Sequence, residues 1–309
     1  MMSNRDGVAV FTPGSIGNVG PGLDILGLAV AGAGDTVHAS WGTASGITVV
    51  DTGHPDLPDD PTRNTAAIAA AAVARHAGAS RGIALRITKG LPLSGGQGGS
   101  AASAVAGAMA ANLLLEADLD TATLLTCALE AEATVAGRHL DNIAPSLLGG
   151  LVLIRSLEPI DVVRLPVPPT LRVVLVHPAM QLRTRDARAA LPTEVPRDVA
   201  LQQAANVAAM VAGACLADLA LLGRAIDDRI AEPVRAALLP GFPDARRAAL
   251  DAGALGCSIS GAGPTAFALA DSDEAATAVA AAMVAAYATA GLEARPVVTR
   301  PDLEGTRRA

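Results

Sequence analysis

Between Leu91 and Glu116 the chain reads LPLSGGQGGSAASAVAGAMAANLLLE, a glycine- and serine-rich turn that opens directly into an Ala-rich helical run. This junction constrains the fold more than any other segment, because it forces a tight turn against the first residues of a helix. Glycine lets the backbone approach a ligand closely, and the open N–H groups of a helix start attract an anion such as phosphate. A phosphate cradle is the functional expectation. A flexible loop before a buried helix is the alternative, and the segment alone leaves both open. Two competing nucleotide motifs fail. A P-loop needs Lys and then Ser or Thr after its last glycine, whereas Gly98 and Gly99 are followed by Ser100 and Ala101. Gly261-Ala-Gly263-Pro-Thr-Ala266 has dinucleotide-binding spacing, but the strand-like FALA follows it, and no acid stands about 20 residues further on.

With 309 residues, 51% of them hydrophobic and 17% charged, the chain can fill about two packed domains. Aromatic residues are scarce, so Ala, Val, Leu and Ile must fill the interior and helices must approach one another closely. A net charge of −7 argues against a nucleic-acid partner, since binding along a phosphate backbone needs clustered Lys and Arg. The leading MMSNRDGVAVF has neither a basic region nor an apolar core, and no charge-free run is read as reaching the length of a membrane span. A cytoplasmic protein with no membrane partner is expected. Cys127, Cys215 and Cys257 are odd in number and lack CxxC spacing, and the five histidines lack metal spacing, so neither a disulfide framework nor a zinc site is indicated.

Alternating patterns predict strands at Val8–Phe11, Asp35–Trp41, Ile47–Val50, Ile83–Thr88 and Leu151–Ile154, in a mixed or antiparallel sheet. Helices are expected over Asn64–His76, Ala101–Glu116 and Asp120–Ala136. Later come a strand at Arg172–His177, helices at Asp198–Leu222, Arg224–Arg235 and Pro243–Ala252, a hairpin-like pair at Cys257–Ser260 and Thr265–Ala270, a helix at Asp273–Ala290 and a strand at Leu292–Thr299. Strands gathered first and helices later read as α+β. The division is set at residues 1–160 and 161–309, with the Pro-rich LPVPPTL at 165–171 as the linker candidate.

Three glycine-bearing segments stand in order: Pro13-Gly-Ser-Ile-Gly-Asn-Val-Gly-Pro-Gly-Leu-Asp24, the loop Pro92–Ala102, and Gly256-Cys-Ser-Ile-Ser-Gly-Ala-Gly-Pro-Thr-Ala266. Together they resemble the three motifs of the GHMP small-molecule kinases. Within that superfamily NVGPGLDILGLAV, HLDNIAPSLLGG at His139–Gly150, TRDARAALP at Thr184–Pro192 and EPVRAALLPGF at Glu232–Phe242 look most like the homoserine kinase family. The resemblance covers nearly the whole chain. It implies a two-domain GHMP kinase fold of α+β class, with a ribosomal protein S5 domain 2-like N-terminal ATP-binding domain and a ferredoxin-like C-terminal domain. It also implies ATP and Mg²⁺, L-homoserine as acceptor in the step before threonine synthase, and a homodimer. Two departures stand out. Gly96-Gln-Gly-Gly-Ser100 replaces the usual Gly-Leu-Gly-Ser-Ser, and Gly14, Ser15 and Gly17 alter the first motif.

The loop Gly95, Gly96, Gln97, Gly98, Gly99, Ser100, entered through Pro92 and leading into Ala101, is expected to bind the ATP phosphates. Ser100 and Glu132 are the expected metal ligands, with Glu130 open as the alternative acid. Lys89 faces the nucleotide or a solvated strand end; Asn64 makes an adenine-side contact or caps its helix. The resemblance puts Asn18, Asp24, His139 and Asn142 around the amino-alcohol end of the acceptor, Arg188 and Arg235 at its carboxylate, and Gly261 in a close turn. An ammonium suits a carboxylate, and a carboxylate suits the guanidinium fork. Asn142 cannot take a proton at neutral pH, so catalysis is expected to rest on positioning, without a strong side-chain base. A kinase for another small alcohol, or a catalytically silent nucleotide- or metabolite-binding protein of this fold, remains open at this point.

Overall fold

The computed structural model describes residues 7–309; the leading MMSNRD, on which part of the leaderless expectation rests, lies outside the described residues. The larger of two sheets has seven strands, in the order Arg307–Arg308, Val8–Gly17, Leu26–Trp41, Ile83–Thr88, Ile47–Asp51, with Leu151–Leu157 paired to the start of Leu26–Trp41 and Ile160–Leu165 beyond it. It is mixed, as expected: only Ile47–Asp51 against Ile83–Thr88 runs parallel. One face carries Val10, Val37, Leu85 and Ile87 into a core shared with helices Thr65–His76, Gly99–Leu115 and Thr121–Glu132.

The second helix is buried nearly all round, which its alanine content permits. At Gly107 an added Cβ would lie 2.7 Å from the Cα of Ala66, so the two helices meet at a distance only glycine allows. Asn64 and Asp120 cap the first and third helices with their side-chain oxygens.

The second sheet is antiparallel, with spatial order Ala294–Thr299, Arg172–Pro178, Ala266–Ala270, Gly256–Ile259. With helices Arg197–Leu216 and Asp273–Thr289 between its strands, this is the split βαβ pattern of a ferredoxin-like unit. Ile16, Leu26 and Leu28 of the first unit pack with Leu175, Met210 and Phe267 of the second, so the two share an apolar seam. Ile160–Leu165 pairs with Leu151–Leu157, and Arg307–Arg308 returns to Val8–Gly17. We therefore propose the Pro166–Thr170 segment as the junction, with the last residues rejoining the first unit.

Three expectations need correction. The helix expected over Asp198–Leu222 ends at Leu216, where Ala217 turns left-handed (φ 54°), and a new helix Leu219–Arg224 starts on the Asp218 cap. No helix spans Arg224–Arg235: Asp228 instead accepts the amides of Ile230, Ala231 and Glu232 and holds an irregular turn before Glu232–Ala236. Finally, Arg197–Leu216 is long and apolar enough to cross a membrane by length and composition, with mean hydropathy 1.5, contrary to the reading that no charge-free run has that length. Its Gln203 and Asn206 are buried here, bonded to Pro21 O and Asp227 O, and pack the helix onto both units.

Candidate active site

A cleft of about 800 Å³ runs between the two units, with the glycine loop at its centre. The long helix begins at Gly99; its cap, Gly98, has φ 67° and supplies no side-chain bond. Its first backbone bond runs from Ala102 N to Gly98 O, which leaves the preceding turn of amides open, with the positive end of the helix dipole behind them. Pro92, Gly95, Gly96, Gly98, Gly99 and Ser100 line the cleft, whereas Gln97 and Ala101 are buried behind the loop.

Ser100 Oγ donates to Glu132 Oε1 at 2.9 Å, bringing together the two expected metal ligands. Glu132 is buried and its Oε2 has no partner among the described residues. Burial pushes this carboxyl up to about 7, against the partial opposition of His139, Ser100 and Lys89. Glu130, the alternative, forms a surface pair with Arg75 at 2.6 Å, far from such a role.

Lys89 departs from both of its expected parts, whereas Asn64 takes the cap role that was one of its two. Lys89 is neither free for a phosphate nor solvated: its Nζ is ion-paired with buried Asp35 and donates to Gly99 O and Ser103 Oγ, both at 3.0 Å. Asp35 also accepts from Ser103 Oγ and from the amides of Gly90 and Leu91, so this network underpins both ends of the loop. Asn64 spends its side chain on the amides of Ala66 and Ala67 and on Pro58 O; it shapes the cleft wall as a cap.

Opposite the loop is a charged pocket. His139 Nε2 bonds Ala136 O and Nδ1 bonds Asp141 Oδ1, each at 3.0 Å; a carbonyl and a carboxylate both accept, so both ring nitrogens carry protons. Burial opposes that charge most strongly, but Asp141 and the Ala136 carbonyl outweigh it and lift the imidazole to about 9. Asp141 Oδ2 takes the Asn18 amide, and Asn18 Oδ1 takes the Asp24 amide, which fixes the turn of the first motif. Ser15 Oγ donates to Asn142 Oδ1 at 3.0 Å, which orients the amide with Nδ2 free. Gly17 makes room here: a Cβ would lie 2.5 Å from Asn142 Nδ2 and Asp141 Oδ2.

The expected opposition of Asp24 to the two arginines is closed in this structure. Arg188 forks onto Asp24 at 3.0 and 2.6 Å. Burial works against the Asp24 carboxylate, but Arg188, His139 and Arg235 together hold it below the ordinary range. Arg235 is buried, donates Nη1 to Gly261 O at 2.9 Å and, like Arg188, leaves Nε without a partner among the described residues. Asp35, Asp141, Thr265 and Ser260 were not named as site residues from the sequence; Asp141 stood beside Asn142 in an already suspect turn, and Ser260 and Thr265 lay in the third glycine segment, whereas Asp35 left no signal there.

A helix start with open amides facing a compact charged pocket across one cleft fits a small-molecule kinase. Models of the GHMP kinases N terminal domain and GHMP kinases C terminal match residues 64–150 and 209–289. Homoserine kinase of Chlorobium phaeovibrioides is 43% identical over 90% of this chain and 91% of its own length, and that of Arabidopsis thaliana is 43% identical over 97% and 84%. The crystal structure of homoserine kinase from Cytophaga hutchinsonii superimposes with a TM-score of 0.95 at 40% identity, covering 100% of this chain and 99% of that one. The chain belongs to the GHMP kinases and, within them, to the homoserine kinase family; it is a phosphotransferase with an alcohol group as acceptor.

Proposed function

We infer that this protein transfers the γ-phosphoryl group of ATP to the hydroxyl of L-homoserine, giving O-phospho-L-homoserine. The observation that carries the reading is the loop's row of unpartnered amides set across one cleft from His139, Asp141, Arg188 and Arg235. Leu57 and Pro58, which line the same cleft, offer apolar surface to a purine. The orphaned Glu132 Oε2 beside Ser100 Oγ fits a hard, oxygen-loving cation such as Mg²⁺, which when bound neutralises phosphate charge. Asn142 Nδ2 and Asn18 Nδ2 orient the acceptor, Arg235 meets its carboxylate, and Asp24 draws its ammonium as the Arg188 fork opens. His139, protonated on both nitrogens, holds Asp141 and accepts no proton. Rate enhancement then rests on alignment and fixed charge, which suffice for phosphoryl transfer.

In a coupled ADP-release assay over homoserine, mevalonate and galactose, kcat/KM for homoserine should exceed the others by at least about 100-fold, the selectivity expected where a site's buried charges must be paired. Comparable turnover of mevalonate or galactose, or no turnover of any acceptor, would reject the assignment. Ser100→Ala should raise KM for Mg·ATP and lower kcat, together costing about 10- to 100-fold in kcat/KM, since it strips a charge-assisted bond from Glu132. An unchanged rate removes Ser100 from the metal shell.

A further inference from the structure

The glycine loop is held from behind by its carbonyls. Thr265 Oγ1 donates to Gly95 O at 2.5 Å, Ser260 Oγ donates to Gly96 O at 2.6 Å, and the Ser15 amide donates to Gln97 O at 3.2 Å. These are three successive peptides. A trans peptide carries its C=O and N–H on opposite sides, so fixing each carbonyl outward turns the next amide the other way. The amides of Gly96, Gln97 and Gly98 accordingly donate to nothing among the described residues, and Gly96 and Gly98 line the cleft. Two of the three anchors come from the second unit. The loop rests directly on it, since a Cβ on Gly96 would lie 2.6 Å from Ser260 O.

The Thr265 hydroxyl has one proton and two lone pairs, and the residue is fully buried. Gly95 O can only accept, so the proton lies there. The oxygen then accepts from Gln97 Nε2 at 3.3 Å, and it takes the contact with His177 Nδ1 at 3.0 Å in the tautomer that carries its proton on Nδ1. With both donors in place the hydroxyl has no other direction in which to donate. Gln97 stands where the family resemblance leads one to expect leucine, and its side-chain amide adds a donor to Thr265 that a leucine would lack.

We propose that Thr265 is a positioning residue for the phosphate loop: through Gly95 it holds the loop amides open to a triphosphate, with Ser260 as its partner and Gln97 fixing the direction of its hydroxyl. The nucleotide site is then complete only when the C-terminal unit is seated on the loop. This rests on the loop being the phosphate site.

The test is calorimetric titration of ADP with Mg²⁺, alongside steady-state kinetics. Thr265→Val keeps the side-chain shape and removes the hydroxyl. It should weaken ADP binding and raise KM for ATP by about tenfold, while KM for homoserine stays within about twofold. Thr265→Ser should restore both, which a general loss of packing would not allow, and Gln97→Leu should give a smaller loss of ADP affinity in the same direction. Should the valine variant not fold, Ser260→Ala and Gln97→Leu decide the matter by the same titration. Wild-type affinity in folded Thr265→Val, or in both of the other variants, overturns the proposal. Wild-type protein that binds no ADP instead overturns the phosphate reading itself.

Discussion

Glu132→Gln should turn over homoserine at least about 100-fold more slowly than the wild type, yet gain on it in stability as the pH is raised in metal-free buffer. On the proposed role of Glu132 as a ligand of the triphosphate's counter-ion, the kinetic loss is an electrostatic contribution of about 3 kcal/mol or more to the transition state. The stability trend follows from burial. The Glu132 carboxyl is pushed from 4.5 to about 7 in the folded chain. Because the folded-state value is raised, the contribution of this group is fully present below pH 4.5 and is lost as the pH climbs through 7. At pH 8 the metal-free protein carries the whole cost of a buried, half-unpartnered carboxylate, roughly 3 kcal/mol. Glutamine has no such titration, so the difference in unfolding free energy should move in the variant's favour by about that amount between pH 4 and pH 8. Mg²⁺ should raise the melting temperature of the wild type and leave the variant where it is. Parallel pH–stability curves for the two proteins, or near-normal turnover by the variant, would show that Glu132 is an ordinary buried acid.

Local chemistry made much of this molecule legible. The helix after Gly99 announced itself because glycines and a long alanine run have few other joint uses, and the caps Asn64 and Asp120 stood where side-chain oxygens meet open amides. Strand Leu26–Trp41 was read at only its second half, since AVAGAGD lacks the alternation that marks a strand with one wet face. The irregular turn before Glu232 was invisible for another reason: Asp228 competes for backbone amides in a stretch whose composition suits a helix. Within the site, ligand types were legible and pairings were not. Asp35 meets Lys89 across 54 positions, Asp24 meets Arg188 across 164, and Thr265 meets Gly95 across 170. The first contact is set by the pairing of neighbouring strands within the first unit, and the other two by the packing of one unit on the other. Reading Asp24 and Arg188 separately gave each a substrate group to hold, whereas in this structure each neutralises the other.

Arg235→Leu should raise KM for homoserine by about 100- to 1,000-fold and leave KM for ATP within about twofold, which a lost bidentate charge-assisted contact accounts for. Arg235 is a stronger candidate for the carboxylate than Arg188, because its charge is not already paired. Burial and then the nearby Arg188 charge hold its guanidinium below the usual value, so the two cations repel and an anion between them relieves both. One donor is spent on Gly261 O, and Nε waits buried without an acceptor. Leucine fills most of the volume and leaves no unpaired charge at that position, so the variant should fold. Propanolamine, which is homoserine without its carboxylate, separates a lost contact from a damaged pocket. If Arg235 acts through the carboxylate, kcat/KM for propanolamine should be the same in both proteins, and the wild type's preference for homoserine should collapse in the variant. A proportional loss on both acceptors would mean that Arg235 shapes the pocket through Gly261 and never touches the substrate, and an equal loss for ATP would place it on the nucleotide side of the cleft.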